Sequence, residues 1–285
     1  MLVAQGIYLL RGADGAPGVD NLARTGNVTF IVGPRGVVVV QTGVTYRHGV
    51  DILAAVARTT DRPIRLAIIT HPQQSYVFGA AAFQERGIPV WMHRQAAALV
   101  AERCDLCLRS LRELLGNEAT AGTRIIRPDR LLERDEVLDL IGRRLHLIAS
   151  EWSSAPGALA VYDDASATLI TGDSVLIGRV PDLREADMQG WQDLLDRLKA
   201  TQCKLLVPGH GPIGQCASID TFAAYLSALD ARIALLLKSG LALSDLAGRI
   251  DLPEFAQWDE YAAVHSRNAQ RLYLMRERQA FDSKP

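Results

Sequence analysis

The feature that most limits the fold is the largely apolar run Ile64–Thr70, which stops abruptly at the polar segment His71-Pro72-Gln73-Gln74-Ser75. Seven residues are too few for a helix to bury itself. The lack of strict alternation points instead to a strand covered on both faces, as in a mixed sheet with helices outside it. The neighbouring segments agree. Gly6–Gly12, Val28–Val32 and Gly36–Gln41 are short runs rich in Val, Ile and Tyr, and the start of the chain reads as a first strand. Gly33-Pro34-Arg35-Gly36 is a hairpin signal between two of these runs. Val50–Arg58 has helical spacing, and a second helix is expected from about Ser75 to Arg86, stopped by Gly87, with Ser75 as its cap. A strand follows at Pro89–Met92, then a helix over Arg94–Leu115 ending near Gly116.

The middle of the chain is strand-rich: Arg124–Ile126, Glu136–Ile141, Arg144–Ile148, Leu159–Asp163 and Thr168–Thr171. Turns at Ile141-Gly142-Arg143 and Asp163-Asp164-Ala165 give it the character of a meander. Met188–Ala200 is a helix, Lys204–Val207 a last buried strand, and Ser218–Ala280 is helical with breaks near Gly240 and Leu252-Pro253. Two strand-rich halves, each closing in a helix, suit two sheets packed face to face between helical layers. The expected α/β architecture is a four-layer αββα sandwich over residues 1–217, with a helical extension over 218–285 packed on the same domain.

With 48% apolar residues in a chain of 285, a sizeable core is available without staples. A net charge of −1, from 31 basic and 32 acidic residues, argues against nucleic-acid or membrane partners. No apolar run approaches the ~20 residues that span a bilayer. The first ten residues lack a basic, then apolar, leader. A cytoplasmic location is expected from the chain as it stands, and a periplasmic one if residues precede it. Cys104, Cys107, Cys203 and Cys216 are too scattered for a disulfide framework, so reduced thiols are expected.

Four landmarks, GVVVVQTG (36–43), IITHPQQSYVFG (68–79), Thr171-Gly172-Asp173 and PGHGP (208–212), recur in the order and separation of the metallo-β-lactamase superfamily, which the chain resembles over nearly its whole length. Tyr261–Tyr273 is similar to the tail of the branch associated with quinoprotein alcohol dehydrogenases and sulfur oxidation. The resemblance implies a His-x-His-x-Asp-His loop, a later His, a bridging Asp and a final His holding two zinc ions. Such a pair activates water and stabilises the developing oxyanion. Carried over position by position, His71, Asp173 and His210 remain. Gln73, Ser75, Tyr76 and Ser154 occupy the other four positions, and Gln41 replaces an acidic residue that braces the loop.

Each ion would keep one imidazole and a shared carboxylate, whereas a closed zinc site takes four donors. A working dinuclear zinc hydrolase is therefore not expected. At most one divalent metal, zinc, would be weakly held by His71, Asp173 and His210. The pocket candidates are His71, Gln73, Ser75, Tyr76, Ser154, Asp173 and His210, with the Tyr76 hydroxyl expected to reach Asp173 or His210. No cofactor is expected.

Three functions follow: binding of an unidentified small molecule or protein partner in the old pocket, ester or thioester hydrolysis at an unorthodox mononuclear site, or a thiol-linked role for Cys104 and Cys107. Within Val100–Leu115 both cysteines recur at core spacing, which favours a packing role. Ser153 and Ser154 lie near His146 in sequence order but lack a nucleophile elbow. His48, His93 and His265 read as structural. One face of the C-terminal helices suits packing onto the sandwich and leaves room for a homodimer contact.

Overall fold

A computed structural model describes residues 1–282. A seven-stranded sheet runs in the order β1 (Leu2–Ala4), β2 (Ile7–Leu10), β3 (Val28–Gly33), β4 (Gly36–Val40), β5 (Ile64–Ile69), β6 (Val90–His93) and β7 (Arg130–Leu132). β4, β5, β6 and β7 pair in parallel, and the strands before them are antiparallel. The parallel pairs need crossovers, which α1 (Tyr46–Thr59), the short α2 (Gln74–Val77) and α3 (Ala80–Gln84), and α4 (Arg94–Ala119) supply.

The second sheet is a meander of β8 (Glu136–Leu138), β9 (Leu145–Trp152), β10 (Pro156–Asp163) and β11 (Thr168–Gly172), closed by β12 (Leu205–Pro208) parallel to β11 after α5 (Met188–Ala200). Helices α6 (Ser218–Lys238) and α7 (Tyr261–Asp282) complete the chain, with two 3-10 turns between them.

Three apolar cores divide the layers. Between the sheets lie Ile31, Val38, Val40, Ile68, Leu147 and Val161, all fully or almost fully buried. α1, α3 and α4 cover the other face of the first sheet, where Val37, Val39 and Ala67 meet Ile52, Phe83 and Val100. α5, α6 and α7 cover the second, where Ala158, Ala160 and Leu169 meet Trp191, Phe222 and Leu272. The four-layer αββα sandwich is thus present, and α6 and α7 are part of its outer helical layer.

Several elements depart from the sequence reading for identifiable reasons. The first strand is a two-strand hairpin, because Gly6 (φ 75°) reverses the chain between β1 and β2. Ser75 does not cap a long helix: Gln73 precedes the first helical residue, and Ser75 lies inside α2. The expected helix is also broken at Phe78-Gly79, where the chain presses against Thr42 and Gly49 so closely that a Cβ at Gly79 would collide with backbone. Arg124–Ile126 is not a strand. Ile125 and Ile126 pack against the helical side, and pairing resumes only past Pro128, with the Asp129 N–H on the Val90 carbonyl (2.8 Å).

Three of the cysteines also differ from expectation. Cys203 and Cys216 form a disulfide, with Cα atoms 5.3 Å apart. Between them Leu206 and Gly214 exchange two backbone hydrogen bonds (2.8 and 2.9 Å), which folds the chain back and brings the distant thiols together. Cys104 faces the core as its spacing implies, but Cys107 is half exposed. No helix among the described residues is long and apolar enough to cross a membrane.

The disulfide closes the loop that carries His210, with a sequence separation of 13. A loop of this size is worth about 3 kcal/mol through the unfolded chain. Reduction, or a Cys203→Ser/Cys216→Ser pair, is expected to lower the unfolding free energy by that order, with a matching fall in the denaturant midpoint. An unchanged midpoint would mean that the backbone pairing alone holds the loop.

Candidate functional site

Three strand ends deliver the site. β5 runs out into Thr70 and His71, β11 ends at Gly172 just before Asp173 and Ser174, and β12 ends at Pro208 just before Gly209 and His210. The β9–β10 turn brings Ser153 and Ser154. Strand ends of neighbouring elements stay in register because the strands do, so their loops meet at one edge. The Leu159 N–H on the Thr70 carbonyl (2.9 Å) ties the two sheets together there. Asn27 braces the third loop: its backbone N–H bonds the Gly209 carbonyl (2.8 Å), and its amide donates to the Pro208 and Gly211 carbonyls (2.9 and 3.0 Å).

His71 is completely buried, and both ring nitrogens are engaged. Nδ1 lies 2.8 Å from Thr70 Oγ1 and receives the Asp173 backbone N–H at 3.3 Å. Gln41 fixes the roles: its Oε1 accepts the Thr70 N–H (3.2 Å), and its Nε2 donates to Thr70 Oγ1 (2.5 Å). The threonine hydrogen is then free for His71 Nδ1. A nitrogen that accepts two donors has no hydrogen, so the ring proton sits on Nε2. Nε2 lies 3.1 Å from Ser154 Oγ and 3.2 Å from Ser174 Oγ, to which it donates. Burial holds the His71 pKa near 4, with Asp173 raising it and His210 lowering it. Ser154 thus meets His71, not His146, and the imidazole that faces it is a donor, not a base.

Tyr76, also completely buried, forms a second cluster with Asp173 and His210. Its hydroxyl donates to Asp173 Oδ1 (2.5 Å) and lies 3.1 Å from His210 Nδ1, which is itself 2.9 Å from Asp173 Oδ1. Burial alone would raise the Asp173 pKa. The His210 charge and hydrogen bond outweigh it, with help from His71 and Tyr76, and take the group down to about 2. An ionised carboxylate only accepts, so His210 Nδ1 carries a hydrogen and Nε2 points away from Asp173. Burial and the same carboxylate push the Tyr76 hydroxyl well above its ordinary pKa, so it remains a donor. His210 thus ties to a carboxylate side chain through Nδ1.

Gln73 and Ser154 face a cavity of about 390 Å³, with Gln74, Arg103, Cys107 and Arg184 also on its walls. Ser75 instead lies against Gly26, outside both clusters. The site therefore gathers the candidates in three groups: His71 with Ser154, Tyr76 with Asp173 and His210, and Gln73 with Ser154 on the cavity. Sequence reasoning missed Ser174, Thr70 and Asn27. Of these, Ser174 was within reach, since it follows Asp173 directly at the end of an identified strand. Arg103 and Arg184 were not, because only the fold brings α4 beside the segment before α5.

The sequence model of the metallo-beta-lactamase superfamily matches residues 22–210. The chain belongs to that superfamily. Among solved structures it is similar to a metallo-beta-lactamase from Pontibacter korlensis (20% identity, TM-score 0.60, covering 71% of this chain and 87% of that one). It is also similar to a metallo-beta-lactamase family protein from Thermus thermophilus (20% identity, TM-score 0.64, covering 96% and 94%). A third similar structure is the stereoselective inverting sec-alkylsulfatase Pisa1 from Pseudomonas sp. (18% identity, TM-score 0.74, covering 96% of this chain and 49% of that one). The chain thus spans about half of the sulfatase. No curated protein sequence matches the chain.

The zinc pair that the superfamily implies does not fit these residues. Among the described residues no three or more His, Cys, Asp or Glu are gathered to hold a metal ion. His71 turns a hydrogen, not a lone pair, toward its Nε2 neighbours, and His210 Nε2 faces away from the Asp173 carboxylate. Gly209 has no room for a side chain beside Asp173 Oδ1 and the Tyr76 hydroxyl, so that corner is filled by tyrosine.

Two outcomes follow. Tyr76→Phe removes a donor from a buried carboxylate and is expected to cost about 1–3 kcal/mol in chemical denaturation. The second concerns pH. His48 and His71 are held near 4 in the fold against an ordinary 6.5, so in the intervening range the unfolded chain binds more protons than the folded one. Their contribution is complete above pH 6.5 and is lost as pH falls toward 4. Urea midpoints at pH 7.5, 6 and 4.5 are expected to fall in that order, and a flat series would contradict the neutral, buried assignment of both rings.

Proposed function

We propose that this chain is a metal-independent member of the superfamily that acts by binding a small polar ligand in the cavity bordered by Gln73 and Ser154. The observation that carries the proposal is the orientation of His71, whose Nε2–H is committed to Ser154 and Ser174. The Tyr76 hydroxyl, meanwhile, lies against both Asp173 and His210, which also contact each other directly. Four family ligand positions have gone to Gln73, Ser75, Tyr76 and Ser154, and the remaining donors are satisfied by one another. What was a reactive pocket becomes a fixed wall of hydrogen-bonding groups. Gln73 offers an amide to a ligand, Gln74 offers its amide oxygen while its nitrogen donates to the Cys107 carbonyl, and Arg103 and Arg184 offer guanidinium groups, each already in an ion pair with Glu185 or Asp182. A ligand with both donor and acceptor groups suits that balance of charge.

The alternatives sit less well with this geometry. A mononuclear hydrolase built on His71, Asp173 and His210 needs three lone pairs directed at one point. A thiol-linked role needs two accessible thiols, but Cys104 is 2% exposed, and burial together with Cys107 pushes its pKa up to about 12. The Cys203–Cys216 disulfide supports an oxidising compartment, consistent with the periplasmic setting of the quinoprotein-associated branch that Tyr261–Tyr273 resembles.

Metal analysis of protein purified without chelators, then equilibrated with zinc or manganese, tests the proposal directly. Less than about a tenth of an equivalent is expected, because the donor set does not preform a site. One tight equivalent lost in His71→Ala or His210→Ala would overturn the proposal and make the mononuclear hydrolase the reading to pursue with ester and thioester substrates.

A further inference from the structure

A second cavity, of about 270 Å³, lies on the other side of Gly26 and is not used by the site above. Its floor is α1. His48, Asp51 and Arg58 fall on one face of that helix, and Arg11 and Arg24 approach from the segments that flank β2 and β3. Gly26 separates it from the Tyr76 cluster: a Cβ on Gly26 would lie 2.5 Å from the tyrosine ring.

Three guanidinium groups here meet one nearby carboxylate. Arg24 gives a terminal nitrogen to Asp51 at 2.6 Å, and Arg11 pairs outward with Asp14 at 2.7 Å. Arg58 has no ion-pair partner among the described residues. Two donors are left over, one of them buried. Arg24 Nε is buried with no hydrogen-bond partner. His48 is only 9% exposed and uses Nδ1 alone, to accept the Val44 backbone N–H at 3.3 Å. That bond puts the ring proton on Nε2, which has no partner among the described residues. Folded proteins rarely leave a buried donor such as Arg24 Nε unmatched unless a water or ligand takes it. A water could take it, but would leave the excess positive charge.

We propose that this cavity binds a small oxyanion of the phosphate or sulfate class through the Nε2–H of His48, the Nε–H of Arg24 and the guanidinium of Arg58. The chemistry is matched on each count. A tetrahedral dianion presents several acceptors and no donors, and the three groups assigned to it are donors, while Asp51, which also borders the cavity, is taken up by Arg24. Burial, then Arg24, hold His48 neutral with a pKa near 4, against the pull of Asp51, so the imidazole supplies direction and the arginines supply charge. The site is independent of the ligand proposed for the Gln73–Ser154 cavity, and nothing in it requires a metal.

Calorimetric titration with inorganic phosphate and with sulfate, in a buffer free of other oxyanions, reads the affinity and stoichiometry. A two-dimensional proton–nitrogen spectrum of the histidine rings reads the location. One equivalent is expected to saturate below millimolar concentration and to shift the His48 Nε2 signal while leaving His265 in place. Arg24→Gln and Arg58→Gln should each weaken binding about tenfold or more. Arg58 is exposed at the last turn of α1, so its variant tests the site without threatening the fold. Absence of saturation, binding indifferent to Arg58→Gln, or acetate binding as tightly as phosphate would each overturn the assignment.

Discussion

An ionised carboxylate buried where three loops meet must be neutralised by its surroundings, and at Asp173 that role falls to Tyr76 and His210. A single charge taken out of water costs several kcal/mol if left alone, so the donors cannot be optional. Much of the local structure can be understood as what lets those donors arrive. Tyr76 reaches across from α2 only because Gly26 and Gly209 carry no side chains where its ring and hydroxyl lie. His210 is held at the right depth because Asn27 fixes the backbone on both sides of it. The Cys203–Cys216 disulfide closes the same loop from outside.

His71 shows the same principle in neutral form. A buried imidazole without a charged partner is stable only if both nitrogens are satisfied, and the four groups around it are arranged to do that. The arrangement is directional: Gln41 orients Thr70, Thr70 orients His71, and His71 donates to Ser154 and Ser174. Reversing the ring proton would leave a donor facing the Asp173 N–H. The network thus has one comfortable proton arrangement. In the superfamily the second nitrogen of such a histidine would belong to an ion. Here the hydroxyls of Ser154 and Ser174 lie at that nitrogen.

The layers of the sandwich were legible from periodicity, because apolar runs such as Val37–Val40 and Ala67–Ile69 can be buried in few other ways. Met188–Ala200 matched its spacing to the residue. The reach of the Tyr76 hydroxyl toward Asp173 and His210 was also legible. What the sequence could not convey were relations between residues far apart in the chain. His71 meets Ser154 across 83 residues, Tyr76 meets Asp173 across 97, and which ring nitrogen faces which partner depends on the packing of both sheets. Ser75 misled for the opposite reason. A hydroxyl before an apolar run signals a cap locally, but the chain there is bent by its contact with Thr42 and Gly49, and the helix starts elsewhere.

The same tertiary dependence explains why the basic cavity escaped notice. Arg11, Arg24 and Arg58 are ordinary surface residues in sequence, and His48 on its own is more often structural than functional. Only the packing of α1 beside the segment that leads into β3 sets their donors around one space. That segment is shared. Gly26 forms a wall of the basic cavity and backs onto Tyr76, and the next residue, Asn27, holds the His210 loop. The backbone at Gly26 and Asn27 therefore bears on both regions at once. With Asp173 tied to Tyr76 and Asn27 tied to Pro208 and Gly211, displacement of that segment would strain a charge-assisted hydrogen bond and two buried backbone contacts together. Stiffness there follows from the same buried carboxylate.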